Sequence, residues 1–148
     1  MRIESVFLLA LMLLVPLTPL VEPTEAVSAR SQPCGGSICI NEVMPNPNGY
    51  DDAVWPNGEW LELHNSGTTS VDVRNWYFSN KAAKILTLDS NSIVGYDAAN
   101  ASTYTLAPGD YMVIARNGAS NFYVANSNDF MTLYDSSSGW IDEATWNS

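Results

Sequence analysis

Turn-forming residues interrupt this chain so often that no long helix fits between them. Beyond residue 40, Gly, Pro, Asn, Asp and Ser cluster in short breaks, among them PNPNGYDD, NSGTTS, APGD and DSSSG. Gly and Asn tolerate positive φ angles and Pro fixes φ, so each cluster favours a turn. The runs between the breaks are apolar, or they alternate between apolar and polar residues as strands do. The sequence therefore predicts an all-β chain and excludes a coiled coil.

Alternation within these runs indicates which faces are buried. In GEWLELH, Leu61 and Leu63 share one face with Glu59, and the residues between them point the other way. The run YMVIA is apolar on both faces, which predicts a central strand. Sheets with one dry and one wet face are typical of a β-sandwich. Strands are predicted at residues 38–44, 59–64, 71–73, 76–79, 84–88, 103–106, 111–115, 130–134 and 140–146.

The first 29 residues have the order of a secretory signal peptide. Arg2 precedes the apolar run VFLLALMLLVPL, and the small residues AVSA follow, with Val27 and Ala29 suited to the −3 and −1 positions of cleavage. The apolar run contains two prolines and is short for a helix of about 20 residues that crosses a bilayer. We therefore expect a secreted or cell-surface protein, with a membrane anchor as the alternative if this segment is not cleaved.

These features define the expected domain organisation. Residues 1–29 are predicted to be the signal peptide, 30–39 an N-terminal tail with a disulfide loop, and 40–148 one β-sandwich domain. Cys34 and Cys39 are the only cysteines, and such a close pair in an exported chain predicts a disulfide. A thiol metal site would need further thiols or histidines, and His64 is the only histidine.

The chain is strongly acidic. Its formal net charge is −10 at pH 7, and from Arg30 onward five basic residues face thirteen acidic ones. This charge repels phosphate backbones and anionic membranes. We therefore expect no nucleic-acid partner, and the charge otherwise favours solubility outside the cell.

Three glutamates inside predicted strands raise the question of catalysis. Glu59 and Glu62 are expected on opposite faces of one strand and about 10 Å apart, so they cannot act as a pair. Glycosidases need two carboxyl groups across a cleft. The alternative that the chain is a small extracellular glycan hydrolase therefore requires an acidic partner for Glu42 on a neighbouring strand. A catalytic triad would need His64, and no glycine-framed serine elbow occurs. No catalytic residue is assigned.

The segment NPNGYDD concentrates oxygen ligands of the kind that calcium accepts. It lacks the order of an EF-hand loop, so no cofactor is expected and calcium remains an alternative. Together with exposed tryptophans such as Trp55, the segment leaves open a calcium- or carbohydrate-binding module. The calcium ligands of this alternative would be Asn46, Asn48, Asp51 and Asp52.

The sequence also contains a sequon for N-linked glycosylation. Asn100, Ala101 and Ser102 form Asn-x-Ser within a predicted surface loop. The sequon can be used only in a host that glycosylates exported proteins.

Four segments taken together resemble the lamin tail domain family: INEVMPNP, GEWLELHNSGTTSVDVRNWYFSN, TLAPGDYMVIA and NDFMTLYDSSSGWIDEATW. They occur in the family's order and cover nearly all of the chain beyond the predicted signal peptide. The family is an immunoglobulin-like β-sandwich, found at the end of animal nuclear lamins and in exported bacterial and archaeal proteins. The residues that carry the resemblance are Asn41, Glu42, Glu59, Trp60, Glu62, Asn65, Asp72, Trp76, Pro108, Gly109 and Asp142.

The resemblance implies structural roles for these residues. Trp60 and Trp76 would fill the sandwich, Asn65 and the Pro108-Gly109 pair would shape turns, and the glutamates would accept backbone or cross-strand hydrogen bonds. It also implies a non-catalytic module that binds a protein or cell-surface partner. Filament formation and a nuclear setting are not implied, because the predicted export signal argues against both.

One departure from the family pattern concerns a turn. The family often has glycine before the tryptophan of the third matching strand, where this chain has Asn75. Asparagine also enters the left-handed region of φ/ψ space, so the turn is expected to form.

Overall fold

A computed structural model describes Cys34 and residues 36–147. The predicted signal peptide and the start of the predicted tail lie outside these residues. The described part forms nine strands and one short 3₁₀ helix, Ala101–Tyr104. The strands are β1 (Ile38–Met44), β2 (Trp60–Asn65), β3 (Val71–Asp72), β4 (Tyr77–Asn80), β5 (Ile85–Thr87), β6 (Thr105–Leu106), β7 (Tyr111–Ala115), β8 (Asp129–Tyr134) and β9 (Trp140–Trp146).

The strands form antiparallel sheets in the order β1-β2-β7, β3-β6 and β5-β4-β8-β9. The inner faces of the two larger sheets enclose one hydrophobic core, to which Leu61, Phe78, Ile114 and Leu133 contribute with no exposed surface. Burial of such apolar surface is the main driving force for folding. The predicted all-β, immunoglobulin-like sandwich is confirmed.

Burial alternates along β2 as predicted. Leu61 and Leu63 are fully buried, as is Glu59 just before the strand, whereas Trp60 and Glu62 are only half-buried. The expectation that Trp60 fills the sandwich is therefore wrong, because an odd offset from the leucines places it on the outward face. Trp76, the other tryptophan assigned to the interior, does belong to the core.

Strand β7 is not central, which corrects the prediction made from YMVIA. It lies at the edge of its sheet beside β2. A loop takes the place of a further strand there: the Val94 N–H donates to the Val113 carbonyl at 3.0 Å, and the Ala115 N–H donates to the Ser92 carbonyl at 2.8 Å. The loop thus covers an edge whose backbone groups would otherwise remain unpaired.

Cys34 and Cys39 form the predicted disulfide, with their Cα atoms 5.5 Å apart, and the bond ties the preceding segment to β1. Asn75 adopts a φ of 61°, so it occupies the left-handed region in the turn before β4, as expected. In the part of the chain from residue 36 to 147, no helix has the length and hydropathy needed to cross a membrane.

Candidate interaction site

Glu59 anchors the fold from inside. Its side chain is 1% exposed, and its Oε2 lies 3.0 Å from Nη1 of Arg116 and accepts the Val124 N–H at 3.1 Å. Burial raises the pKa of Glu59 to about 7, against the opposing effects of the Val124 N–H and the Arg116 guanidinium. Arg116 also donates from Nε to the Ala119 carbonyl. The pair therefore fixes the start of β2 to the segment between β7 and β8.

Asp142 and Asn65 also join separate parts of the chain. Oδ2 of Asp142 in β9 accepts the Ile40 N–H of β1 at 2.9 Å, which links the two large sheets. Nδ2 of Asn65 donates to the carbonyls of Thr69 and Leu106 at 2.9 and 2.8 Å. Buried polar groups need such partners, so these side chains hold the fold together.

Glu42 and Glu62 are neighbours across β1 and β2. The register places them opposite each other, after a bulge between Ile40 and Glu42, and both are half-buried. Oε1 of Glu62 accepts a hydrogen bond from Nδ2 of Asn41 at 2.8 Å. The cross-strand partner on which the hydrolase alternative depends is therefore present, on the outward face of the sheet. Like charges at opposite positions destabilise a sheet, so this pair is not explained by stability.

Asp72, the last residue of β3, and the Pro108-Gly109 pair lie next to or within turns. Oδ1 of Asp72 accepts the Arg74 N–H at 2.9 Å. Gly109, which follows Pro108, has a φ of 82° that glycine adopts readily, and its N–H donates to the Asn65 carbonyl at 2.8 Å.

The calcium candidates Asn46, Asn48, Asp51 and Asp52 lie between β1 and β2. Two backbone oxygens of this segment already accept hydrogen bonds, that of Asp51 from the Glu59 N–H at 2.8 Å and that of Asp52 from the Gly118 N–H at 2.9 Å. Within the described residues, no group of three or more His, Cys, Asp or Glu side chains could hold a metal ion. Calcium binding stays an alternative, and the expectation that no cofactor is bound stays a prediction.

Three aromatic side chains line up across the outward face of the larger sheet. Tyr77 of β4 pairs with Tyr134 of β8, and Tyr134 pairs with Trp140 of β9. The two tyrosine rings are stacked with centroids 5.1 Å apart, and Trp140 is 58% exposed. We call Tyr77, Tyr134 and Trp140 the aromatic row. Tyr77 and Tyr134 are half-buried, so the row is an aromatic strip whose most exposed member is Trp140.

Polar residues flank the aromatic row on the same face. Two residues along the same strands, Ser79 lies opposite Thr132, and Oγ1 of Thr132 donates to Oε2 of Glu143 at 2.9 Å. At the edge of the sheet, Ile85 of β5 is exposed opposite Ser79 and adds a further apolar side chain. The face thus carries apolar and polar side chains next to each other, as binding surfaces do.

A groove at the edge of β7, which we call the β7 groove, forms a second exposed aromatic area. It has a volume of ≈ 450 Å³, and its lining includes Trp55, Tyr111, Val113 and Asn100. Tyr111 stacks on His64 with ring centroids 4.4 Å apart. The Trp55 N–H donates to Oδ1 of Asn117 at 2.9 Å, which holds the loop before β2 against the groove.

Sequence reasoning missed both Arg116 and the aromatic row. Arg116 is 57 residues from Glu59, and nothing local identifies it as the partner. The row has a weak signal: alternation leaves Tyr77 and Tyr134 on the outward faces of their strands, where polar residues are expected. Trp140 has no such signal, because it lies an even number of residues before the buried Asp142 and Ala144. The register shift between Leu133 and Tyr134 brings it opposite Tyr134.

The family model described as Lamin Tail Domain matches residues 31–148. Among solved structures, the chain is similar to the archaellum periplasmic stator protein FlaG from Sulfolobus acidocaldarius, with 16% identity and a TM-score of 0.39 over 72% of this chain and 94% of that chain. No curated protein matches this sequence.

Proposed function

The chain belongs to the lamin tail domain family, and from this membership we propose that it is an exported, non-catalytic module that docks a component of the cell surface on its aromatic row. The aromatic row is the observation that carries the proposal. Aromatic side chains dominate the energy of many protein interfaces. The stacked rings of Tyr77 and Tyr134 already hold each other in place. They therefore lose little conformational entropy when they bind, which favours affinity.

Export is supported by the predicted signal peptide and by the disulfide. Disulfides persist in oxidising compartments outside the cytoplasm and are rare within it. The bond between Cys34 and Cys39 closes a small loop next to β1, and it fits a chain that works outside the cytoplasm.

The absence of catalysis is supported by what the polar side chains do. Hydrogen bonds to the backbone or to Arg116 engage the polar side chains of Glu59, Asp142 and Asn65. His64, the sole histidine of the sequence, stacks on Tyr111. These contacts give Glu59, Asp142 and Asn65 structural roles that need no reaction.

The proposal is tested by co-sedimentation of the purified chain with cell envelopes from the organism that encodes it. Trp140→Ala removes the exposed end of the aromatic row, and Trp55→Ala, also an exposed tryptophan, is the matched control in the β7 groove. We expect Trp140→Ala to weaken binding by about tenfold or more, as for a hot-spot tryptophan, and Trp55→Ala to bind as the unmodified chain does. Protease-treated envelopes then distinguish a protein partner from a surface glycan. Equal binding by both variants and the unmodified chain would reject the aromatic row as the docking face.

The register of Glu42 against Glu62 favours one alternative, a small extracellular glycan hydrolase. It is tested by assaying release of sugars from the same envelopes. The alternative requires that Glu42→Gln abolish release while the melting temperature stays unchanged. A melting temperature lowered by Glu42→Gln would instead assign the residue a structural role.

The calcium- or carbohydrate-binding alternative is tested by calorimetry with calcium. Heat of binding together with a raised melting temperature would support the ligands Asn46, Asn48, Asp51 and Asp52. No heat and no stabilisation would remove the metal part of this alternative.

A further inference from the structure

The β7 groove contains the sequon identified in the sequence. Asn100 lines the groove together with Trp55 and Tyr111. Its own side chain is exposed, and Trp55 and Tyr111 are 41% and 56% exposed. An asparagine at an open surface, next to two uncovered aromatic rings, combines an accessible amide with an apolar contact area.

The local geometry orients the Asn100 amide. Its Oδ1 accepts the Ser102 N–H at 3.0 Å and also accepts a hydrogen bond from the Ser102 hydroxyl. In the part of the chain that the structure describes, none of the hydrogen bonds of Asn100 uses Nδ2 as the donor. The serine two residues on therefore holds the amide oxygen, and the amide nitrogen faces away from that bond.

No other asparagine in the sequence has this motif. Asn100 is the single asparagine of the 148 residues that is followed by a residue other than proline and then by Ser or Thr. Asn65 and Asn80 are buried besides, and their Nδ2 atoms donate to backbone carbonyls. Sequence and accessibility thus select the same residue.

We propose that Asn100 carries an N-linked glycan whose first sugars lie in the β7 groove against Trp55 and Tyr111. The donor is a lipid-linked oligosaccharide, in which a phosphate group bonds the anomeric carbon. Nδ2 of Asn100 forms a bond to that carbon, the carbon–oxygen bond to the lipid phosphate breaks, and the phosphate leaves with the electron pair. One proton leaves Nδ2, so the product is a neutral secondary amide.

The groove fits the first sugars of such a glycan. Sugar rings have an apolar face that packs on aromatic rings, and their hydroxyls bond to polar groups. The lining supplies both, with Trp55 and Tyr111 as rings and Thr103 and Asp97 as polar residues. The glycan would thereby cover the exposed aromatic area on this side of the sandwich and leave the aromatic row on the opposite sheet uncovered.

The inference rests on the proposed export, because the donor is used outside the cytoplasm. It is tested on the full chain purified from the organism that encodes it, by mass spectrometry of the tryptic peptide of residues 85–116. We expect added sugar on Asn100, its loss in Asn100→Gln and Ser102→Ala, and its retention in Ser102→Thr. A chain that has lost its N-terminal segment has been exported. If Asn100 is unmodified in such a chain, the proposed glycan is wrong but the proposed export is not. A chain that keeps this segment and stays in the cytoplasm would overturn the proposed export.

Contact between glycan and groove is tested by oxidative footprinting. The same sequence produced in a host without N-glycosylation, with its disulfide formed, is the unglycosylated control. We expect the glycan to protect Trp55 and Tyr111 from oxidation while Trp140 is oxidised equally in both forms. Equal oxidation of Trp55 and Tyr111 with and without the glycan would overturn their contact with the sugar.

Discussion

The buried pair of Glu59 and Arg116 and the exposed aromatic row are the two regions of this protein that depart most from a simple sandwich, in opposite ways. The first places charge inside, with exposures of 1% and 8%, and the second places large rings outside. The buried charges are bonded to each other and to the backbone. Among the outer rings, Tyr77 and Tyr134 stack on each other, and Trp140 is 58% exposed. The difference separates side chains that hold the fold from side chains that remain available to a partner.

The largest expected effect comes from removing the buried acid. At pH 8, above the pKa of about 7 for Glu59, the carboxylate is ionised and pairs with Arg116. Glu59→Ala leaves the buried guanidinium without its counter-charge, and breaking such a pair costs about 3 to 5 kcal/mol. Denaturant unfolding measures the loss. The control is Glu62→Ala on the outward face, with an expected loss below about 1 kcal/mol. Equal losses in both variants would remove the distinction between the two faces of β2.

The titration of Glu59 gives a stability that depends on pH. Its pKa in the folded chain is raised from 4.5 to about 7, so between these values the folded state binds more protons than the unfolded state. The free energy of unfolding therefore falls as pH rises through this window and levels off above it, by at most about 3 kcal/mol. Unfolding at several pH values for the unmodified chain and for Glu59→Gln checks this. A difference between the two that does not change from pH 5 to 7 would contradict the raised pKa.

A smaller loss is expected from Asp142. Asp142→Ala removes a charge-assisted hydrogen bond to the Ile40 amide that links β9 to β1, and such bonds contribute about 1.5 to 3 kcal/mol. Thermal unfolding provides the measurement. Thr145→Ala, at an exposed position of the same strand, is the control and should change stability by no more than about 0.5 kcal/mol. If Thr145→Ala cost as much as Asp142→Ala, the bond between the sheets would not be the cause.

The smallest effect on stability is expected in the aromatic row. Trp140→Ala removes a side chain that is 58% exposed, so the free energy of unfolding should change by no more than about 0.5 kcal/mol. Binding to cell envelopes should nevertheless fall. A loss of stability as large as that of Glu59→Ala would assign Trp140 a structural role. The aromatic row would then no longer differ from the buried pair in this respect.

Most of the fold could be predicted from alternation and turn residues. The predicted bounds of β1, β7 and β9 agree with the structure, because clear turn signals mark the ends of each of these strands. Between residues 81 and 104 the signals are weaker. The strands predicted at 84–88 and 103–106 are shorter in the structure, and the residues before β6 form a 3₁₀ helix in which the Thr103 N–H donates to the Asn100 carbonyl. Local hydrogen bonds of this kind compete with strand formation.

The assignment of Trp60 to the interior is a local error, since alternation along β2 already places it outside. The remaining errors concern neighbours that are distant in the sequence. Whether β7 is central or at an edge depends on which segment lies beside it, and periodicity carries no information on that. The register of Glu42 against Glu62 depends on the bulge in β1, and one extra residue decides which side chains face each other. The aromatic row needs the order of β4, β8 and β9, which only the folded chain provides.

On this account, interior side chains hold the fold while exterior ones bind a partner. The most direct test is NMR of the indole N–H groups of the five tryptophans during titration with a detergent-solubilised envelope extract. We predict that the signal of Trp140 shifts or broadens as extract is added, while those of the buried Trp76 and Trp146 stay in place. A titration in which Trp55 or Trp60 responds and Trp140 does not would contradict the account, because the partner would then bind the sheet that carries Glu42 and Glu62.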